Sequence, residues 1–296
     1  MTAPPSFCIL QANPADVPLA MNLLFGQDWS EVGDDSLSCP PEPPGLFVAK
    51  RGEQVVGAGW ARHDQEGGCS LVLPRILAGE SPTTAHQLFR QMDLYSRRSG
   101  DRIAFCLLST SAVEVWQERL RASYYQVTAT FLSLVCLDSR FPVRPPPILS
   151  QLRRVDRSDL AVVRQVIGET FVASLDCPNL PAFRGVEDSI VEDRHDHSEA
   201  SLLWENDEPI GCLVLADHPA DESLELAYVG LIPRQRGRGL GRELTEVALW
   251  RARQLNRIKI VTTVDTANTP AIDMYVRLGF IAYDESQLYF RGNKGP

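Results

Sequence analysis

Residues 228–242 read YVGLIPRQRGRGLGR, an apolar segment followed by a proline and by glycines at alternate positions, Gly237, Gly239 and Gly241. From Leu240 to Leu255 the apolar residues recur at helical spacing, so the pattern predicts a strand, a glycine-rich turn and the start of a helix. At a helix start several N–H groups have no intrahelical partner, and the helix dipole favours negative charge. Glycines let the backbone close on an anion, so this turn predicts a diphosphate-binding site.

Two nucleotide-binding motifs that use such a turn do not fit. A P-loop requires GxxxxGK[ST], and no lysine followed by a hydroxyl residue stands here. A dinucleotide fingerprint requires GxGxxG, and Arg242 occupies the place of its third glycine. A solvated arginine-rich turn accounts for the charge but not for three alternating glycines.

The same stretch resembles the acetyl-CoA signature of the GNAT superfamily of N-acetyltransferases, Q/R-x-x-G-x-G/A, with Arg236, Gly239 and Gly241 at its defining positions. A second stretch, NTPAIDMYVRLGF at residues 268–280, resembles the family's N-x-x-A-x-x-x-Y-x-x-x-G-F helix. The residues that fit the second pattern are Asn268, Ala271, Tyr275, Gly279 and Phe280. The resemblance covers about residues 150–292.

The resemblance implies an acyltransferase that moves an acetyl group from acetyl-CoA to a primary amine by direct attack in a ternary complex. It implies that Tyr275 gives a proton to the departing sulfur and that strand amides polarise the thioester carbonyl. Thr269 and Pro270 are expected to cap and begin the helix that carries Tyr275. The residues expected to bind coenzyme A are Val229, Leu231, Arg236, Gly237, Arg238, Gly239, Leu240, Gly241, Arg242, Asn268 and Tyr275.

Glu225 is the candidate general base, four residues before Val229 on the same predicted strand, where some family members use a glutamate. Counting alternate residues places Glu225 and Val229 on one face and Tyr228 on the other. Tyr228 and His218 are the alternative bases. His195 and His197 stand two apart in a polar stretch without a third placed ligand, so we expect a loop there and no metal.

The two halves of the chain repeat one order of elements. FVAKRGEQVVGAGW at residues 47–60 matches LLWENDEPIGCLVL at residues 202–215, and five further elements correspond in register. Prolines between residues 141 and 149 predict an extended linker. We therefore expect an α/β (α+β) fold of two tandem GNAT-like modules, at residues 1–140 and 150–296, each with a mixed, mostly antiparallel sheet flanked by helices.

The first module is expected to have lost the chemistry. Aligned on the prolines of LVLPR and GLIPR, Glu80 stands opposite Gly239 and Pro82 opposite Gly241, and Trp116 falls opposite Tyr275. An acidic group and a residue without an N–H are unsuited to binding an anion. The remaining roles are packing and shaping of the acceptor pocket.

The net charge of −9 over 296 residues argues against nucleic acid as a partner, because phosphate binding needs a cationic surface. No apolar run is long enough to span a bilayer and the start of the chain lacks the pattern of a signal peptide, so we expect no membrane partner and a cytoplasmic location. Seven cysteines without a CxxC pair are expected to be reduced thiols.

The acceptor, a small molecule or a peptide amine, is not identified by these patterns, and monomer and homodimer both remain open. A small-molecule acyltransferase of the mycothiol-synthase type is an alternative, because the two-module layout resembles that branch. A non-catalytic acyl-CoA-binding protein is a further alternative from another class. The loop SLDCPNLPAFRGVED at residues 174–188 is expected to help form the acceptor pocket.

Overall fold

The computed structural model describes residues 7–26, 43–63, 67–155, 160–176 and 198–292. The chain divides into two compact units. The first contains Met1–Leu108, Ala112–Val127 and Leu288–Pro296, and the second contains Ser109–Ser111 and Thr128–Gln287. No helix in the described ranges is long and apolar enough to cross a membrane.

The same order of elements occurs twice along the chain, β-α-β-β-β-α-β-α-β. The first set comprises β1 (Cys8–Gln11), α1 (Val17–Phe25), β2 (Leu46–Arg51), β3 (Gln54–His63), β4 (Gly68–Ile76), α2 (Pro82–Arg98), β5 (Ile103–Ser109), α3 (Thr110–Ala122) and β6 (Gln126–Leu137). The second comprises β7 (Leu152–Arg154), α4 (Leu160–Phe171), β8 (Ser198–Glu205), β9 (Glu208–His218), β10 (Ser223–Leu231), α5 (Leu240–Gln254), β11 (Lys259–Asp265), α6 (Thr269–Arg277) and β12 (Ile281–Gly292). The predicted tandem α/β fold is confirmed.

The strand pairing also repeats. In the first unit β1, β2, β3 and β4 pair as antiparallel neighbours, and β5 adds to β4 in parallel. In the second unit β7, β8, β9 and β10 are antiparallel neighbours, and β11 adds to β10 in parallel. The strands within each unit therefore pair in a mixed, mostly antiparallel arrangement, as predicted.

The compact units do not coincide with the two halves of the chain. Residues 131–137 of β6 pair with β11 inside the second unit, although β6 belongs to the first set of elements. The last residues of β12, from Leu288, belong to the first unit. The segments 1–140 and 150–296 remain our proposal for the duplicated modules, and each gives one terminal strand segment to the other unit.

The proline-rich linker is not simply extended, which corrects the prediction for residues 141–149. Short 3-10 turns occur at Asp138–Arg140 and Pro147–Gln151. Proline fixes φ near −65°, a value that suits such a turn as well as an extended chain. Phe141 and Ile148 are 4% and 1% exposed, and both belong to the core around α5. Their burial ties this segment to the second unit.

The described cysteines are all free thiols, as the sequence predicts for this part of the chain. Cys69, Cys106, Cys136 and Cys212 are buried, and Cys8 is exposed. Burial raises the pKa of Cys136 to about 11, so this thiol stays protonated at neutral pH.

Candidate active site

A cleft opens in the second unit where two parallel strands stop pairing. Strands β10 and β11 pair over only three residues each, where Ser223–Glu225 lie beside Lys259–Val261. Immediately beyond, β10 carries a bulge between Leu226 and Tyr228, where its register with β9 shifts. A bulge bends and twists its strand, so the two strands separate from this point. Thr262 Oγ1 donates to Leu226 O at 2.9 Å beside the opening.

The cleft forms a cavity of about 840 Å³. It is lined by β10 from Leu226 to Leu231, by β11 from Thr262 to Asp265, by the first turn of α5 and by α6 from Pro270 to Arg277. Unpaired strand backbone along one wall offers N–H and C=O groups to an extended ligand. The size is that of a site for a small molecule or cofactor.

The glycine turn forms one end of this cavity. Gly237 and Gly239 have φ of 76° and 86°, a left-handed conformation in which other residues are strained, and nothing lies within 4 Å of the place a Cβ would take. Gly239 caps α5, and the first helical bond there is from Glu243 N to Gly239 O. The preceding N–H groups of the first turn are not used by the helix. The geometry therefore fits the predicted anion site.

Arg236 uses its side chain inside the protein. Its guanidinium donates to Leu231 O at 3.1 Å, Ala173 O at 2.8 Å and Thr170 O at 2.6 Å. These bonds join the end of β10 to the end of α4. Arg236 lines the cavity, but its charge is directed to three carbonyl oxygens, so any contact it makes with a diphosphate is expected to come from its backbone.

We expect Arg236→Lys to lower the free energy of unfolding by about 2 to 4 kcal/mol, because a hydrogen bond from a charged group contributes about 1.5 to 3 kcal/mol and an ammonium cannot reach all three carbonyls. Urea unfolding measures the change. Arg234→Lys is the matched control, since Arg234 is exposed and its ion pair with Glu208 contributes about 1 kcal/mol or less. Equal stability of the two variants would contradict this role for Arg236.

The other predicted cofactor residues divide into two groups. Those that line the cavity are Val229, Leu231, Arg236, Gly237, Gly239, Gly241, Arg242, Asn268 and Tyr275. Among the described lining residues Arg238 and Leu240 are not found. The Arg238 guanidinium forms an ion pair with Glu205 at 2.8 Å. Arg242 is bonded to Glu246, one turn further along α5.

Tyr275 lies on α6 at the edge of the cavity and is 4% exposed. Burial raises the pKa of its hydroxyl to about 12, and a hydrogen bond with Thr262 acts in the opposite direction. The ring packs against Phe280 with 5.2 Å between centroids. The phenol therefore stays neutral at physiological pH and has a proton to give.

The cap of α6 lies one residue earlier than predicted. Asn268, not Thr269, is the N-cap, and its Oδ1 accepts from Ala271 N at 3.3 Å. Thr269 is the first residue of the helix. Asparagine accepts this bond as well as threonine does, so sequence preference alone could not separate the two positions.

The bulge in β10 changes which residues share a face, which corrects the count of alternate residues. The bulge inserts Ala227 as an extra, unpaired residue between Glu225 and Val229, so counting every second residue no longer gives the face. Leu226 and Val229 pack with the core around α5, whereas Tyr228 packs with the core around α4. Glu225 therefore lies on the same side as Tyr228, not Val229. Within the described residues it is not part of the cavity lining, and its Oε2 lies 3.0 Å from His218 Nε2.

Two polar residues, Thr170 at the end of α4 and Asp176 just after it, were not identified from the sequence. Tyr228 Oη is bonded to Thr170 Oγ1, which in turn lies 2.6 Å from Ile167 O. Asp176 lines the cavity and accepts from Asn268 Nδ2 at 2.9 Å. The only signal was that Asp176 falls in the predicted acceptor loop at residues 174–188, whose residues after 176 lie outside the described part of the chain.

The corresponding turn of the first unit is built from different contacts. Ser81 caps α2 and its Oγ accepts from Thr83 N at 3.2 Å, and Pro82 provides no N–H. Glu80 accepts two bonds of 2.9 Å from Arg51. Trp116, opposite Tyr275 in the repeat, is 7% exposed and packs on Phe89. These contacts support the expectation that the first module does not bind coenzyme A.

One group of potential metal ligands occurs among the described residues, in the first unit. Atoms of His63, Cys69 and Asp101 lie within 4.8 Å of one another. His63 Nδ1 and Asp101 Oδ1 are 2.8 Å apart, a hydrogen-bond distance. Burial raises the pKa of Cys69 to about 12, so the thiolate that binds metals is disfavoured. We interpret the group as hydrogen-bonded core. His195 and His197 lie outside the described residues.

Residues 169–280 match the model of the acetyltransferase (GNAT) family. The matched range begins near the end of α4 and contains the glycine turn, Tyr275 and every other described residue that lines the cleft except Phe131. Residues 169–280 are therefore similar to the GNAT family of acetyltransferases, and this stretch carries most of the candidate site.

Curated relatives match a limited part of the chain. Mycothiol acetyltransferase of Corynebacterium glutamicum (strain ATCC 13032) is 33% identical over 97 residues, which are 33% of this chain and 33% of that protein. Mycothiol acetyltransferase of Geodermatophilus obscurus is 38% identical over 84 residues, 27% of each chain. The aligned region spans about a third or less of the length of these relatives.

Solved structures match over nearly the whole chain. A GCN5-related N-acetyltransferase from Sphaerobacter thermophilus superimposes with a TM-score of 0.67, 13% identity, and coverage of 98% of this chain and 97% of the other. A tandem GNAT protein from the clavulanic acid biosynthesis pathway gives a TM-score of 0.63 and 13% identity, with 98% and 100% coverage. At such identity the likeness shows a shared fold.

Proposed function

We propose that this protein transfers an acetyl group from acetyl-CoA to a primary amine of a small molecule. One observation carries the proposal: the unpaired edge of β10, the glycine turn and Tyr275 all open into the same cavity. An extended strand edge, an anion site and a buried neutral phenol are the groups that acyl transfer from a coenzyme A thioester requires.

The roles follow from the chemistry of each group. The N–H groups at the start of α5 receive the diphosphate, and backbone N–H groups between Val229 and Leu231 polarise the thioester carbonyl. The amine gives up a proton to the base, its nitrogen forms a bond to the carbonyl carbon, and the carbon–sulfur bond breaks. The sulfur takes the proton of Tyr275, which recovers a proton from water. Glu225 remains our proposed base and, because it lies outside the described lining, would act through water.

The choice of a small-molecule acceptor is supported by the relatives, which are named mycothiol acetyltransferases. An acceptor of the mycothiol-synthase type is therefore the second candidate for the same reaction. The acetyl donor, the cytoplasmic location and the exclusion of nucleic acid stay predictions from the sequence.

The test uses the purified full-length protein, acetyl-CoA and a panel of small primary amines. Calorimetry measures acetyl-CoA binding, and a thiol reagent measures release of coenzyme A. We expect acetyl-CoA to bind and at least one amine to stimulate thiol release well above the rate without amine. Binding without release would favour the non-catalytic alternative, and absence of binding would refute both.

A further inference from the structure

Asp176 presents a negative charge to the cavity. The residue lies just after α4, is partly buried, and is part of the cavity lining. Its Oδ1 accepts from Asn268 Nδ2 at 2.9 Å and its Oδ2 lies 3.2 Å from Ser174 Oγ. Both partners are neutral, so they orient the carboxylate without cancelling its charge. A carboxylate oxygen has two acceptor sites, so each oxygen keeps one for a ligand.

Three arginines of the described chain line the cavity; two of them are bonded elsewhere, and the third, Arg277, is exposed and forms no ion pair with Asp176. The Arg236 guanidinium donates to three backbone carbonyls, and Arg242 is bonded to Glu246. Among the described residues no arginine, lysine or histidine forms an ion pair with Asp176. A carboxylate that is partly removed from water and has no ion-pair partner among the described residues favours a cationic ligand.

The carboxylate is also bonded to the start of the helix that carries Tyr275, because its partner Asn268 is the N-cap of α6. Burial raises the pKa of Tyr228 and of Tyr275, and the charge of Asp176 adds to the rise for both hydroxyls. Tyr228 Oη is bonded to Thr170 Oγ1, and the Thr170 hydroxyl donates its proton to Ile167 O. The Tyr228 hydroxyl is therefore the donor in the Tyr228–Thr170 pair, and the Tyr228 oxygen can accept a hydrogen bond from a ligand. Phe171 and Tyr228 add aromatic faces, 5.8 Å apart.

We propose that Asp176 binds the ammonium group of the acceptor, which makes the acceptor a small primary amine that is positively charged when it enters the cavity. This inference rests on the proposed acetyl transfer. An ammonium has three donors and no acceptor, which matches the free acceptor sites of Asp176 and the Tyr228 oxygen. Asp176 is thereby the residue that selects charged amines over neutral analogues.

The test compares Asp176→Asn with wild type, using the amine from the panel that gives the fastest thiol release. We expect KM for that amine to rise about 10- to 100-fold, the loss typical of a charge-assisted hydrogen bond, while kcat and acetyl-CoA affinity stay nearly unchanged. Asp176→Glu keeps the charge and is expected to recover part of the affinity. Asp207→Asn is the matched control, since Asp207 carries the same charge change on an exposed turn away from the cavity.

Charge recognition is also tested in the wild type, which needs no variant to fold. The alcohol with the same carbon skeleton is used as a competitor of the amine. Its inhibition constant should be at least about 10-fold higher than the KM of the amine. An unchanged KM in Asp176→Asn, or an alcohol that competes as well as the amine binds, would overturn the role of Asp176 while leaving acetyl transfer intact. Absence of thiol release from the wild type with every amine would remove the proposed function and this inference together.

Discussion

Gly239→Val is expected to weaken acetyl-CoA binding roughly 100-fold or more. Gly239 has φ of 86° at the N-cap of α5, and a β-branched residue there is strained by about 1 to 2 kcal/mol. A shift of the turn to relieve that strain misaligns the N–H groups that receive the diphosphate, and losing two charge-assisted hydrogen bonds costs about 3 kcal/mol. Calorimetric titration with acetyl-CoA measures the effect.

Gly79→Val separates strain from ligand binding. Gly79 has φ of 89° and, as at Gly239, nothing lies within 4 Å of the place a Cβ would take, but it lies in the turn before α2 in the first unit. Both variants should lose a similar amount of unfolding free energy, and only Gly239→Val should lose acetyl-CoA affinity. Loss of affinity in both, or in neither, would contradict the glycine turn as the diphosphate site.

The local parts of the site could be predicted from the sequence because short stretches define them. The alternating glycines and the helical spacing after Leu240 indicated the turn, and its cavity position agrees with that prediction. The spacing from Asn268 to Phe280 predicts a helix that carries Tyr275, and the structure has that helix, with the Tyr275 side chain in the core around α5. Such features depend on residues a few positions apart, so one sequence contains them.

The parts that were missed depend on contacts between distant segments. The sequence of β10 contains nothing that indicates a bulge at Ala227. The prediction that Glu225 shares a face with Val229 is therefore wrong. The motif places Arg236 at the cofactor, and it lines the cavity, yet two of the three carbonyls that accept from its guanidinium lie more than 60 positions away on the α4 side. Asp176 meets Asn268 across 92 positions. No spacing rule brings these residues together, and only the fold does.

Tyr275→Phe is expected to lower kcat about 10²- to 10⁴-fold while acetyl-CoA affinity changes little, because the ring still fills its place against Phe280 and only the proton for the leaving sulfur is lost. The wild-type hydroxyl has a pKa of about 12 and therefore holds its proton over the whole assay range. The fold-loss in kcat should consequently be the same from about pH 6 to about pH 9, well below the titration of a tyrosine. Thiol release under saturating acetyl-CoA and amine measures it.

Tyr283→Phe is the matched control, since Tyr283 lies on β12 of the same unit and is 61% exposed. Its kcat should equal that of the wild type. Because removal of the Tyr275 hydroxyl also leaves Thr262 without that bond, a second variant, Thr262→Val, separates the two effects. If Thr262→Val lowered kcat as much as Tyr275→Phe, the hydrogen-bonded pair would be acting by positioning. A loss confined to Tyr275→Phe identifies the phenol as the proton donor, because protonation of the leaving sulfur is then the only function that the variant has lost.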